Sequence, residues 1–379
     1  MSIINQQRLL DEFLQLVGID SETGDEREIC DHLQQKLTAL GFTVEEDDTT
    51  AVTGHGAGNL IATLEGNLPD APVIYFTCHM DTVAPGKGVK ARVEGEYVVT
   101  DGTTVLGADD KAGLAALLEG VRVVKEQGGK HGTIQFILTV GEESGLLGSK
   151  ALDPAKVKAD FGFAIDSNGP VGDIITSAPS QVRLDVKIEG KPAHAGVNPE
   201  EGISAIQVAS RAISKMPLGR IDHETTANIG KFQGGSASNV VPQWVEILAE
   251  ARSRDEKKLD VQAAKMKSGF EQAAAELGAQ AEVTVTKMYP AYKYEESDLV
   301  VQKAMAAVKR VGREPRLLAS GGGSDANVIA GHGIPTVNLA IGYEEIHTTN
   351  ERMPLTELYK AGELVVALIE ESNQTATKR

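Results

Sequence analysis

The sequence predicts an α/β fold, a domain on a mostly parallel sheet interrupted by an inserted α+β domain. Three observations carry this. Apolar runs at residues 73–77 and 134–140 suit strands buried on both faces of a parallel sheet. Helix-forming stretches separate such runs, as crossover connections require. Between residues 178 and 291 the strand candidates instead alternate apolar and polar side chains, so one face meets water.

The elements follow in order. Leu9, Leu10, Phe13, Leu14 and Val17 recur at helical spacing and open the fold with an amphipathic helix over 5–17. Asp25 caps a second helix through Ile29, Leu33 and Leu37, which stops at Gly41. Strands are expected at 42–46 and 60–64, around a Gly-rich turn at 53–58 that lacks the Gly-Lys-Ser/Thr of a phosphate loop. After the strand at 73–77 comes a surface hairpin over 89–100. A helix then starts within Gly107-Ala108-Asp109-Asp110-Lys111-Ala112-Gly113 and reaches about Glu126. Further buried strands cover 134–140 and 161–165, the latter ending at Asp166.

Past Asp166 the pattern changes. Val182, Leu184, Val186 and Ile188 share one strand face. A helix over 201–215, strands at 226–232 and 244–251, a helix over 255–277 and a strand at 282–287 follow. This β-α-β-β-α-β order is that of a ferredoxin-like unit. The chain then returns to α/β habits, with a helix at 299–311, a strand at 336–339, His347 in the loop after it and a last helix over 354–371. The expected division is 1–177 and 292–379 for the first domain and 178–291 for the insertion.

Composition excludes several partners. The 379 residues are 41% hydrophobic and 24% charged, as in a globular protein of about two domains. A net charge of −17 argues against nucleic acid and anionic membranes, which need clustered Lys and Arg. No stretch approaches the ~18 uninterrupted apolar residues of a spanning helix. Asp11 and Glu12 interrupt the only apolar run near the start, so no secretory signal is read there. Cys30 and Cys78 are too few for a disulfide framework and fit a reducing, cytoplasmic setting.

Polar residues that follow the apolar strands carry the chemistry: His79 and Asp81, Glu142 and Glu143, Asp166, and His347. In an open parallel sheet the ligand crevice lies outside the carboxyl ends of the strands. Asp109 and Asp110 join them from a helix start, where free N–H groups favour carboxylates. So many carboxylates in one crevice resist ionisation unless cations sit among them. Two divalent metals satisfy that demand, and imidazole with carboxylate is the donor set of zinc, with cobalt or manganese as substitutes.

His-Met-Asp-Thr-Val at 79–83, Gly-Ala-Asp-Asp-Lys-Ala-Gly at 107–113 and Gly-Glu-Glu-Ser-Gly-Leu-Leu-Gly-Ser at 141–149 together resemble the co-catalytic zinc exopeptidases. That family includes peptidase T, glutamate carboxypeptidases, aminoacylases and succinyl-diaminopimelate desuccinylase, and the second motif leans toward peptidase T. The resemblance spans the chain and implies that the inserted domain is a lid. It implies that Asp109 bridges both metals, with His79 and Asp166 on one and Glu143 and His347 on the other. Asp81 would orient the His79 imidazole. Glu142 would be the general base, taking a proton from a metal-bridging water and passing it to the leaving amine.

In the lid, Lys-Pro-Ala-His-Ala-Gly at 191–196 matches the family segment whose histidine donates to the developing oxyanion, here His194. Asn239 and Arg252 match substrate-binding lid positions, Arg252 as a carboxylate clamp. Gly322 and Gly323 offer backbone N–H groups as a carboxylate nest. Gly321 stands where peptidase T proper has an arginine, which puts strict tripeptidase specificity in doubt. The resemblance implies an exopeptidase that removes the N-terminal residue of short peptides, and a homodimer formed through the lid. The alternative is a deacylase or carboxypeptidase of the same family acting on N-acyl amino acids.

Overall fold

The apolar runs become the middle of a sheet. In the computed structural model, which describes residues 3–373, the strands Ile134–Thr139, Ile74–His79, Phe161–Ser167 and Thr336–Ala340 lie side by side and parallel. The first two are buried at every position. Phe76 packs its ring between those of Phe136 and Phe163, at centroid distances of 5.9 and 5.7 Å. All four strands run the same way, so the residues at and beyond their carboxyl ends collect on one edge.

The sheet is mixed. Leu60–Leu64 runs antiparallel to Ile134–Thr139, Thr43–Glu46 antiparallel to Leu60–Leu64, and Asp173–Ala178 antiparallel to Thr336–Ala340. The expectation of a mostly parallel sheet therefore describes its centre. Two strands among those that sequence patterning missed, Asp173–Ala178 and Arg316–Ala319, pair in parallel at one side, and Arg316 clamps Asp173 at 2.7 Å. Their polar residues hide the apolar signature: Asp173 is buried and its charge is paired with that guanidinium.

Helices cover this sheet. Ala108–Glu126 is buried nearly all round, packed between the helices Gln6–Val17 and Leu355–Ser372. The hairpin expected on the surface is anchored: Arg92–Glu94 pairs with Tyr97–Val99, which also pairs with Met353–Pro354. The hairpin thus ties down the segment that follows His347.

Two compact units emerge: residues 3–177 with Tyr294–Ala319 and 324–373, and Ala178–Lys293 with Ser320–Gly323. The smaller holds the antiparallel strands Gly219–Arg220, Thr225–Gly234, Trp244–Ser253, Ser180–Glu189 and Gln280–Tyr289, in that spatial order. Val182, Leu184, Val186 and Ile188 turn inward against Ala205–Ser214 and Glu256–Leu277. The first of these helices is shorter than expected, because Ser204 caps it through Gln207 N–H while Pro199–Glu201 forms a separate 3-10 turn. Asp255 caps the second by accepting from the N–H groups of Lys257 and Lys258, and Gly278 ends it with φ +75°.

Candidate metal centre

The edge of the larger unit's sheet brings together the donors it was expected to. His79 is the last residue of its strand, Asp166 lies near the end of the next, Glu143 follows a third and His347 the fourth. His79 Nε2 lies 3.1 Å from Asp109 Oδ1 and 3.8 Å from Asp166 Oδ1. His347 Nε2 lies 2.9 Å from Glu143 Oε1 and 3.4 Å from Asp109 Oδ2. The two oxygens of Asp109 therefore face two different histidines. Both groups, His79–Asp109–Asp166 and Asp109–Glu143–His347, have donor atoms within 4.8 Å of one another.

Asp109 reaches this place because the helix it opens starts irregularly. Asp109 and Asp110 have non-helical backbone angles, and the peptide between them is cis. Asp110 turns inward: it is fully buried, with its carboxyl beside Cys78. It does not join the donors. Lys111 is buried as well and donates to the Ile19 carbonyl at 2.7 Å.

Asp81 meets both the His79 ring and the loop that follows the neighbouring strand. The Nδ1–H of His79 donates to the backbone carbonyl of Asp81 at 2.8 Å, while the Asp81 carboxylate stands 3.5 Å from that nitrogen. That carboxylate accepts from the Glu142 and Glu143 N–H groups, at 3.0 and 3.3 Å, and from Thr23 Oγ1 at 2.6 Å. It holds the loop that carries the two glutamates. Behind Gly141, His55 packs its ring edge where a Cβ would sit, and Glu26 holds that ring at 3.0 Å.

Electrostatics express the crowding. Burial pushes the Glu142 and Asp166 carboxyls well above the usual range, and neighbouring carboxylates add to it. Burial opposes ionisation of Asp109 too, yet hydrogen bonds from His347 and His79 keep its carboxyl low. Asp109 and Glu143 together push His347 up to about 10. Two like charges ~4 Å apart repel by about 4 kcal/mol at an effective dielectric of 20, so cations among these groups remove a large cost. With Nδ1–H committed to a carbonyl, His79 presents Nε2 to Asp109 as a hydrogen-bond donor, and that nitrogen is the one a metal would take in place of its proton. The residues fit a dinuclear divalent-metal centre.

The model of peptidase family M20/M25/M40 matches residues 75–371. The chain belongs to that family. Among relatives, the YqjE protein of Bacillus subtilis (strain 168) is 61% identical over 370 residues, spanning 98% of this chain and all of its own. Aminopeptidase PepT from Bacillus cereus ATCC 10987 superposes with a TM-score of 0.93 at 59% identity, over 98% of this M20-family chain and 100% of its own. A tripeptidase from Staphylococcus aureus subsp. aureus Mu50 does so with a TM-score of 0.95 at 49% identity, with the same coverage.

Other expected residues lie on the smaller unit. His194 Nδ1 accepts from Gly196 N–H at 3.2 Å, which leaves Nε2 as the donor of the neutral ring. Asn239 accepts the Ala195 N–H through its carbonyl at 2.9 Å. The Arg252 guanidinium is held by Glu250 at 2.9 and 3.0 Å. The Gly322 N–H donates to Ser320 Oγ at 2.9 Å, so the expected nest of Gly322 and Gly323 has one donor already occupied. Gly323 lies against the Tyr289 ring.

Several supporting residues carry no sequence signal. Asn338 bonds the backbone of Asp166 from both sides, at 3.1 and 2.6 Å, and Tyr343 O–H donates to its carboxylate at 3.1 Å. Glu351, four residues past His347, accepts three N–H groups of the Asp109 loop. Asp325 is buried, bonded by Thr139 Oγ1. Each looks like an ordinary loop, strand or helix-start residue until the fold places it.

Proposed function

We propose that this chain is a metal-dependent aminopeptidase that removes the N-terminal residue from short peptides. The observation that carries the reading is the Asp109 carboxylate facing both His79 and His347, with Glu142 beside it. High identity to an aminopeptidase and to a tripeptidase supports the peptide substrate. His79, Asp109 and Asp166 would hold one cation and Asp109, Glu143 and His347 the other, zinc being the best match to this donor set. When bound, such a pair polarises the scissile carbonyl and lowers the pKa of an attacking water.

The chain's own residues do the rest. Burial raises the affinity of Glu142 for a proton, which suits a base that takes one from the attacking water and returns it to the leaving amine. Asp81 keeps Glu142 and Glu143 pointing to separate tasks by pinning both their N–H groups. His194 Nε2 is the proposed donor to the oxyanion, and Asn239, Arg252 and the Gly323 N–H are proposed substrate contacts.

The order and pairing of strands in 178–291 support a ferredoxin-like lid inserted between 1–177 and 292–379. Gly219–Arg220 covers only Thr226 and Ala227 of its neighbour, leaving the edge from Asn228 to Gly234 open, and this supports a homodimer through the lid. Two buried free thiols, and no helix among the described residues long and apolar enough to cross a membrane, fit a cytoplasmic enzyme.

A panel of free-ended, N-blocked and C-blocked di- and tripeptides tests the reading. Free-ended peptides should be cleaved, chelator should abolish turnover, and zinc, cobalt or manganese should restore it. Cleavage of N-blocked substrates alone would move the assignment to a deacylase or carboxypeptidase.

A further inference from the structure

We propose that Glu351 is a positioning residue that acts chiefly on one of the two metal positions, the one formed by Asp109, Glu143 and His347. The inference rests on the dinuclear reading above.

The two positions are built differently. In the first, His79 ends a fully buried strand and is fixed through Nδ1–H to the Asp81 carbonyl at 2.8 Å. Asp166 is held along its backbone by Asn338 and at its carboxylate by Tyr343. Rigid strands and buried partners set both ligands. In the second, His347 sits in a loop, half exposed, and takes φ +61°, while Glu345 takes φ +57°. Neither residue is a glycine, so the turn must be imposed by its surroundings. Among the described residues no group other than Glu143 and Asp109 bonds the His347 ring.

Two features close that loop. At its base, Glu344 and Arg352 exchange backbone hydrogen bonds at 3.0 Å, and their side chains pair at 2.6 Å. Inside it, Glu351 is only 3% exposed and turns its carboxylate under the Asp109 loop. One oxygen accepts from Leu106 and Gly107 N–H, each at 2.8 Å, and the other from Asp109 N–H at 3.1 Å. A tight turn from Thr348 to Glu351 links this anchor to His347. Glu351 thereby fixes the distance between the segment bearing His347 and the segment bearing Asp109.

Only a carboxylate satisfies this arrangement. Three donors converge on two oxygens, so an amide would point an N–H₂ at an N–H and lose at least one bond. Asp109 itself is also held from its other side by the buried helix it opens, so its place in the first position depends less on Glu351.

The test separates the positions by removing one histidine at a time. Zinc and cobalt titrations by calorimetry, with metal content measured after dialysis, are run on His79→Ala and His347→Ala, each with and without Glu351→Gln. In the His79→Ala background, which leaves the second position, Glu351→Gln should weaken binding about 10- to 100-fold. In the His347→Ala background its effect should be at least tenfold smaller. Circular dichroism and thermal unfolding check folding, and Glu351→Asp, which keeps the charge and shortens the reach, should give the same ranking if the glutamine variant does not fold. Equal losses in both backgrounds, or no loss in either, would overturn the proposal. Fewer than two metals on the unaltered protein would overturn the dinuclear reading and this proposal together.

Discussion

Glu142 and Glu143 are neighbours in sequence with different surroundings. Glu143 meets His347 at 2.9 Å, while Glu142 is part-buried among Asp325, Glu143 and Asp109. Glu142→Gln should therefore lower kcat by about 10²- to 10⁴-fold, the usual contribution of a general base. Metal content should stay at two per chain, read by elemental analysis alongside steady-state kinetics. Full activity in that variant would remove Glu142 from the mechanism. The residue types at this centre were legible in sequence because histidines and carboxylates directly follow apolar strands. The supporting residues were not. Asn338 lies within a strand, Tyr343 and Glu351 lie in loops, and a hydrogen bond across 172 to 242 residues of chain leaves no periodic trace.

Among the elements, the helix Ala108–Glu126 shows how close packing sets a site. A Cβ on Gly113 would lie 2.3 Å from Asp110 Oδ1, 2.6 Å from the Ile165 carbonyl and 2.8 Å from Cys78 Sγ. Glycine to alanine within a helix ordinarily gains up to about 1 kcal/mol. Overpacking a buried site costs about 1–3 kcal/mol, and a strand carbonyl cannot swing away as a flexible side chain could. The clash wins: Gly113→Ala should lower unfolding free energy in urea and weaken metal binding, since Asp110 follows the bridging aspartate. A more stable variant with unchanged metal affinity would refute this. Element types over 3–373 were largely readable from hydrophobic period. Missed strands such as Asp173–Ala178 and Arg316–Ala319, and the anchored hairpin near Tyr97, depend on pairing partners far along the chain.

At the scale of the whole molecule, burial governs the two thiols. It pushes Cys30 up to about 12 and Cys78 well above the ordinary thiol value. Neither should react with an aromatic disulfide reagent at pH 8 in the native protein, and both should react in guanidinium chloride. The folded pKa of Cys30 lies above the unfolded one, so the unfolded chain loses its proton first as pH rises. This contribution to stability is complete below about pH 9 and declines toward pH 12. Urea unfolding at pH 8 and pH 10.5 should show a larger fall for the unaltered protein than for Cys30→Ala; an equal fall would contradict it.

By itself the sequence determined the class of fold and the chemistry. Hydrophobic period declares strands and helices, and ligand-type residues at strand ends declare a metal edge, because both signals are local in the chain. The resemblance implied an Asp109 shared between His79 and His347, and the tertiary structure supplied the distances by which each of its oxygens faces one of them. It also decided that Asp81 serves the glutamate loop through its carboxylate and His79 through its carbonyl, and that Glu351 ties two ligand segments together. Those facts are distances between parts of the chain that meet only when the core packs, and no local pattern encodes them.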